Sequence, residues 1–411
     1  MTTTINTSTT NSNDVAFLKV ATSAPDFENL PIEGVPDSYS GPTFVKKDYV
    51  YNTVTALPGQ VTYFVVTPTA AVAYYSTAYD LDENGNVPPV PPDGQNMAGF
   101  VFPDAATIFG GAGVDTTGRA NNCTNAVRAR LLGQGAEMVC LNNSLLQYGS
   151  LATFKTPIER VYTPSFDSGG LRIAQPRLNG VSAIFKSVIT SEASVTAVRE
   201  GSYAVTMNRE ADFEFADVLD DVALDSVFQG YGPDEVVPIG EGQNVDFKGP
   251  AVVWDNGFDT IVFRVVVPPA GPGLSSVPQD FILKVFKTWE MQPAMNSLLH
   301  TLAHSSPALD QRTINMYHAM SKELPVSVPA SQNPDFWNKI LDGLHETSDV
   351  MKNVPILQPY AKGVHALTTL GRNIRGRVRQ RRARRQKQQP KKSRLPRPPA
   401  TRKVKGARRR K

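Results

Sequence analysis

Cysteine is almost missing from this 411-residue chain: Cys123 and Cys140 are the only two, and no CxxC pair occurs. A chain of this length buries enough apolar surface to fold without covalent staples. One disulfide stays open as a pairing, but a reducing compartment fits better. Histidine is also scarce, with five residues at 300, 304, 318, 345 and 365, all outside the β-rich part. His300 and His304 share a face in a helical reading but have no third ligand, so a solvated pair is expected rather than a metal site. There is no GxSxG, HExxH, P-loop or Cys/His cluster, which argues against an ordinary turnover enzyme. No run approaches 18 apolar residues, so no spanning helix is expected, and MTTTINTSTTNSND at the start has neither the basic nor the apolar part of a signal peptide. Membrane contact would have to come from an amphipathic surface.

Acid is missing from one place in particular. Residues 372–411 hold 20 of the 42 Lys and Arg and no Asp or Glu, which leaves residues 1–371 with 22 basic against 38 acidic groups, a balance of −16. A +20 block joined to an acidic body is a polyanion-binding appendage. Nucleic acid is the leading partner, through Arg372, Arg375, Arg377, Arg379, Arg381, Arg382, Arg384, Arg385 and Lys387. No aromatic residue interleaves them, so phosphate neutralisation without base stacking is expected. A nuclear-localisation signal or an anionic-membrane patch are the alternatives.

What is plentiful in the body is Val, Thr, Ala, Phe and Tyr, punctuated by Pro and Gly, the mix of an all-β sandwich or barrel. Strands are predicted over 59–69, 145–155, 181–190, 260–267 and 281–291. In the last, Phe281, Leu283, Val285 and Trp289 share a period-2 face interrupted by Lys287. Residues 82–95 (DENGNVPPVPPDGQ) read as an exposed loop. Residues 16–41 read as an irregular segment lying along the barrel. Ser306-Pro307 signals a helix start, followed by Leu309, Ile314, Tyr317, Met320 and Leu324 at helical spacing. Phe336, Trp337, Ile340, Leu341 and Leu344 form one apolar stripe on a second predicted helix.

The segments AFLKVATSAPDF (16–27), NREADFEFADVL (208–219), DNGFDTIVFRV (255–265), FILKVFKTWEMQP (281–293), SSPALDQ (305–311) and LPVSVPASQN (324–333) resemble, in order, those of insect nodavirus (alphanodavirus) coat proteins. The resemblance covers roughly residues 15–345 and is strongest over 204–340. It implies an eight-stranded viral jelly-roll barrel with a small helical inner domain, assembling with copies of itself into an icosahedral T=3 virion. Assembly would take place in the host cytoplasm, with viral genomic RNA packaged inside and a receptor the sequence does not identify. The expected organisation is a disordered polar arm (1–14), an inner ordered segment (15–43), the shell domain (44–292), an inner helical segment (293–333), a membrane-active segment (334–371) and the basic RNA-binding tail (372–411). Family members carry their basic arm at the N-terminus. This chain has no basic residue before Lys19, so the RNA-binding task is expected to have moved to the other end. A cellular β-rich RNA-binding protein with a basic tail is the competing class, and it leaves the acidic body and the Asn333 region unexplained.

The resemblance also implies maturation by self-cleavage after Asn333. An Asn side-chain amide can attack its own backbone carbonyl, close a five-membered imide and expel the next residue. Pro334 has no N–H, which closes the competing deamidation route. The weak nucleophile needs strict orientation and a proton donor, for which a buried carboxylic acid would serve. The family's acid, in a PDF sequence, maps to Asp26. Family members more often have a small residue where Pro334 stands, so slowed or absent cleavage is one outcome, and an ordinary Asn-Pro turn is another. Asp26 would then be a turn or N-cap aspartate. Cleavage would free the 78 residues Pro334–Lys411. The family's released peptide disrupts membranes, and the stripe suits a bilayer interface, although it could equally pack beneath the shell. Asp212, Glu214 and Asp220 match family carboxylates that bind Ca2+ between subunits, with Asn179 and Asn122 in place of two further aspartates. The alternative is a solvated acidic strand edge.

Overall fold

The computed structural model describes residues 12–26, 29–88, 91–92, 95–103, 126–166, 172–185, 193–218, 234–240, 243–248, 253–269, 277–295 and 297–330. Strands are numbered along the chain. Three of them run fifteen residues each: β1 (Pro42–Ala56), β5 (Ala126–Cys140) and β15 (Gln279–Pro293). They make the centre of one antiparallel sheet. β10 (Ser202–Thr206) and the two-residue β11 (Ala216–Asp217) pair with β5, and β16 (His304–Ser305) pairs with β1. The order across it is β10-β5-β15-β1-β16. The period-2 pattern in β15 is realised: Phe281, Leu283, Val285 and Trp289 are fully buried, and Lys287 is buried among them. Between β5 and β15 the register slips so that Thr288 faces Gly133 while Trp289 faces Leu131. Leu132 is the extra residue of this bulge.

The second sheet contains β2 (Gln60–Val66), β3 (Val72–Asp80), β4 (Gln95–Val101), β6 (Ser150–Thr156), β9 (Ser194–Ala197), β12 (Asp234–Gly240), β13 (Gln243–Lys248) and β14 (Thr260–Val267). Its order is β12-β13-β4-β3-β2-β14-β6-β9, and only the β13–β4 pair is parallel. β2 (QVTYFVV) and β14 (TIVFRVVV) are apolar on both faces because both faces are covered. Towards the first sheet, Phe64, Val66, Ile261, Phe263 and Val265 join Val54, Leu131, Leu283 and Trp289 in one core. On the far side, Tyr63, Val65, Phe154 and Val262 pack with Ile158, Leu178, Ile184 and Phe185. Those last residues come from and around the hairpin of β7 (Glu159–Phe166) and β8 (Arg172–Asn179).

The outer face of the first sheet carries the helical material. A helix over Ser12–Ser23 and another over Gln311–Glu323 meet through Phe17, Tyr317 and Phe213, whose ring centroids lie 4.9–5.7 Å apart. The first helix reaches the sheet at two glycines of β5. A Cβ on Gly133 would fall 2.8 Å from the Val20 carbonyl oxygen, and one on Gly135 2.7 Å from Pro25 Cδ. Glycine here lets the segment ending at Asp26 lie directly on the strand.

Several expectations differ from this architecture. The described residues hold sheets of six and eight strands and a separate hairpin, more than eight strands in all. The segment 16–41 is helical over its first part, and the helix starts at Ser12, inside the residues expected to form a disordered arm. That helix is buried on several sides. Asn13, Asp14 and Thr22 are as enclosed as Phe17 and Val20, so no single apolar stripe marks it in sequence. Residues 182–185 form a helical turn in place of a strand, because Val181, Ile184 and Phe185 recur every three to four residues and bury one side against Tyr63. Strand β6 begins at Ser150, five residues after the predicted start. The later helix begins at Gln311 rather than at Ser306-Pro307, since Asp310 caps it by accepting from the Arg312 backbone N–H at 2.9 Å and the Thr313 hydroxyl at 3.1 Å. Leu309 is therefore outside the helix and exposed. His300 lies in a 3-10 turn (Leu298–Leu302) and His304 in β16, so the two share no helix.

Candidate functional site

Asp26 closes a 3-10 turn (Ala24–Asp26) that follows the first helix. Its carboxylate oxygen Oδ2 accepts from the Tyr203 hydroxyl at 3.5 Å. Tyr203 belongs to β10, and its side chain is 1% exposed. Besides its pairing with β5, β10 meets a strap formed by residues 324–330. Tyr203 N–H donates to the Val328 carbonyl at 2.8 Å, and Val328 N–H donates to the Tyr203 carbonyl at 2.9 Å. Lys155 Nζ, on β6, donates to the Pro325 carbonyl at 3.1 Å. Ala330 lies against Gly201, where a Cβ would sit 3.0 Å from the Ala330 Cβ and 2.5 Å from the Met138 carbonyl oxygen. Gly201 has φ +63, so this close approach and backbone conformation both call for glycine.

Two segments nearly three hundred residues apart in sequence therefore meet on one short strand. Asp26 accepts from the Tyr203 side chain, and the Tyr203 backbone pairs with the strap that leads, three residues beyond Ala330, to Asn333. Three extended residues span about 10 Å. Asp26 itself is exposed in the single chain, which differs from the buried acid the chemistry calls for. The 3-10 turn places it at the outer surface of the sheet rather than inside the sandwich. Tyr203, Gly201, Gly135 and Lys155 were not singled out in the sequence. A glycine ahead of a short β-run was the one available signal, and it does not distinguish this turn from any other.

The inner segment that continues from Asp26 is fastened by a buried charge cluster. Arg130, 1% exposed, bonds Glu290 at 2.9 Å, pairs with Asp37 and donates to the Phe213 carbonyl at 2.9 Å. Glu290, fully buried, also accepts from Val35 N–H at 3.0 Å and from the Thr43 hydroxyl at 2.9 Å. Each buried charge thus has a partner and further hydrogen bonds.

Of the expected calcium ligands, Asp212 and Glu214 lie on an irregular stretch just before β11, not in a strand. Phe213 is buried between them, and both carboxylate residues are exposed. Asn179 ends β8 and is exposed. Asn122 and Asp220 fall outside the described residues. Among the described residues no three His, Cys, Asp or Glu converge in a way that would hold a metal ion. Asn333, Pro334, the stripe Phe336, Trp337, Ile340, Leu341 and Leu344, and the basic set from Arg372 to Lys387 also lie outside the described residues. Among those described, no helix is long and apolar enough to cross a membrane.

The capsid protein alpha of Flock house virus is 26% identical over 372 residues, covering 87% of this chain and 83% of its own. The capsid protein alpha of Pariacoto virus is 24% identical over 366 residues, covering 86% and 85%. Among solved structures, that of the T13 IBDV viral particle covers 82% of this chain and 99% of its own, at 10% identity and a TM-score of 0.44. The model of the peptidase A6 family matches residues 10–370. The chain belongs to the peptidase A6 family, and its relatives there are nodavirus capsid proteins.

Proposed function

We propose that this chain is the coat protein precursor of a non-enveloped icosahedral plus-strand RNA virus, and that after assembly it cuts its own Asn333–Pro334 bond. The shell domain is an eight-stranded jelly roll made of β1, β2, β5, β6, β9, β10, β14 and β15. The orders β10-β5-β15-β1 and β2-β14-β6-β9 give two opposed four-stranded sheets of the kind that fold has. The remaining strands extend the second sheet or cover its far side.

The observation that carries the cleavage reading is the meeting of Asp26 and the 324–330 strap on β10. The Asn333 side-chain nitrogen attacks the Asn333 carbonyl carbon and forms the imide C–N bond. The bond to the Pro334 nitrogen then breaks. Asp26, in its acid form, gives a proton to the departing nitrogen, and its carboxylate takes one from the attacking amide, so protons balance. Water later opens the imide. Asp26 is exposed in the single chain, and a neighbouring subunit packed over it on assembly would supply the enclosure the chemistry calls for. That dependence would keep the unassembled chain intact.

The freed Pro334–Lys411 peptide would act on host membranes through the Phe336–Leu344 stripe, while the tail from Arg372 holds genomic RNA. Asp212 and Glu214 offer two exposed hard oxygen ligands close in sequence. Within one chain they make half a Ca2+ site, which a neighbouring subunit would complete with groups such as Asn179. The ion would join subunits rather than take part in the cleavage.

Sedimentation and intact-mass analysis of the expressed full chain test the reading. Large RNA-containing particles whose subunits convert over days into fragments 1–333 and 334–411 are expected, and Asp26→Asn should assemble without converting. Failure to form particles removes the coat-protein reading. Particles that retain only the intact chain remove the cleavage and leave the shell.

A further inference from the structure

We infer that Tyr203 is a positioning residue for the cleavage, holding the Asp26 carboxyl and the strap to Asn333 in one frame. This rests on the self-cleavage proposed above and adds a residue to it. Tyr203 is tied at both ends: its backbone exchanges two hydrogen bonds with Val328, and its hydroxyl reaches Asp26 Oδ2. The ring between them is 1% exposed and has only two side-chain torsions, so the distance from strap to carboxyl varies little. Gly201, two residues earlier, brings Ala330 against the same strand. A reaction that pairs a weak nucleophile with one acid depends on such a frame, since a misplacement of about 1 Å can cost on the order of 100-fold in rate. With Oδ2 engaged by the phenol, proton transfer falls to the other carboxyl oxygen. The 3.5 Å separation is long for an O–H···O bond, as expected of a contact that tightens only when Asn333 is seated.

Tyr203→Phe removes one oxygen and keeps the ring and the backbone bonds. In full-length particles it should sediment as wild type while cleavage, followed by intact mass, slows on the order of 10-fold to 100-fold. A second variant and the particle melt separate this from a packing effect. Tyr203→Leu removes ring and hydroxyl together and should cleave no faster than Tyr203→Phe, and Tyr203→Phe particles should melt as wild type while their cleavage is slow. A wild-type rate in Tyr203→Phe, with only Tyr203→Leu slowed, would overturn the inference and leave self-cleavage standing. A slower Tyr203→Phe whose particles also melt lower would reduce Tyr203 to packing and overturn it too. If wild-type particles do not cleave, or Asp26→Asn cleaves normally, the failure lies in the cleavage reading itself.

Discussion

Two buried charges in the sandwich set opposite pH windows. Asp255 accepts from Leu131 N–H at 2.8 Å and Gly257 N–H at 2.9 Å, yet burial outweighs these bonds and pushes its carboxyl up to about 6. The folded state thus holds a proton that the unfolded chain has released above the ordinary value of 3.8. Stability is highest below that value and falls as pH rises through 6, by roughly 3 kcal/mol in all. Thermal melts of Asp255→Asn between pH 4 and 7 should lack this slope. Lys287 is the converse. Burial lowers its ammonium to about 7, with Asp48 opposing, while its Nζ donates to the carbonyls of Thr67, Thr69 and Val72 at 2.6–2.9 Å. The unfolded chain keeps that proton up to 10.5, so this group adds stability as pH rises from 7 towards 10.5. Lys287→Met should lose that rise, and a wild-type slope in the variant would assign it to other groups. Lys287 was visible in the sequence only as an interruption of an apolar face. That it fills the core with its own ring of carbonyls depends on a loop more than two hundred residues away.

At the scale of elements, legibility followed how each segment is buried. β15 alternates over its first half and β14 is a short apolar run covered on both faces, and the sequence located both to within a few residues. The Ser12–Ser23 helix is enclosed from several directions and mixes Asn13, Asp14 and Thr22 into its interior, so no periodicity announced it. The proposed cleavage partners Asn333 and Asp26 were singled out through chemistry and resemblance. The β10 frame that joins Asp26 to the 324–330 strap was not, because it is created by pairing across the sheet. Arg130 shows the same limit. Nothing local marks it, yet it anchors residues 33–43 through Glu290 and Asp37. Arg130→Met strands Glu290 without a cation and should destabilise the fold by about 3–5 kcal/mol, read as a fall in melting temperature. Asp212 and Glu214 make a separate prediction. If a divalent ion joins subunits there, EGTA should lower the melting temperature of wild-type particles and leave an Asp212→Asn/Glu214→Gln variant unchanged. Equal responses would place the ion elsewhere or remove it.

At the scale of the whole molecule, the packaging proposal rests on charge separation. Without residues 372–411 the chain carries 22 basic and 38 acidic groups, and a polyanion gains nothing from a body of net −16. Deletion of the tail should therefore give shells whose ultraviolet spectrum approaches that of protein alone. Deletion by itself does not tell charge from sequence, because it removes both. A scrambled tail does: the same forty residues in a new order keep all 20 cations, and neutralisation of phosphates by counterion release is indifferent to their order. RNA content in the scrambled variant should match wild type. Replacing Arg372, Arg375, Arg377, Arg379, Arg381, Arg382, Arg384, Arg385 and Lys387 with Gln should lower it to an intermediate level and flatten its dependence on salt. If the scrambled tail instead loses loading while the Gln variant keeps it, the tail reads a particular RNA feature, and its charge is incidental to packaging.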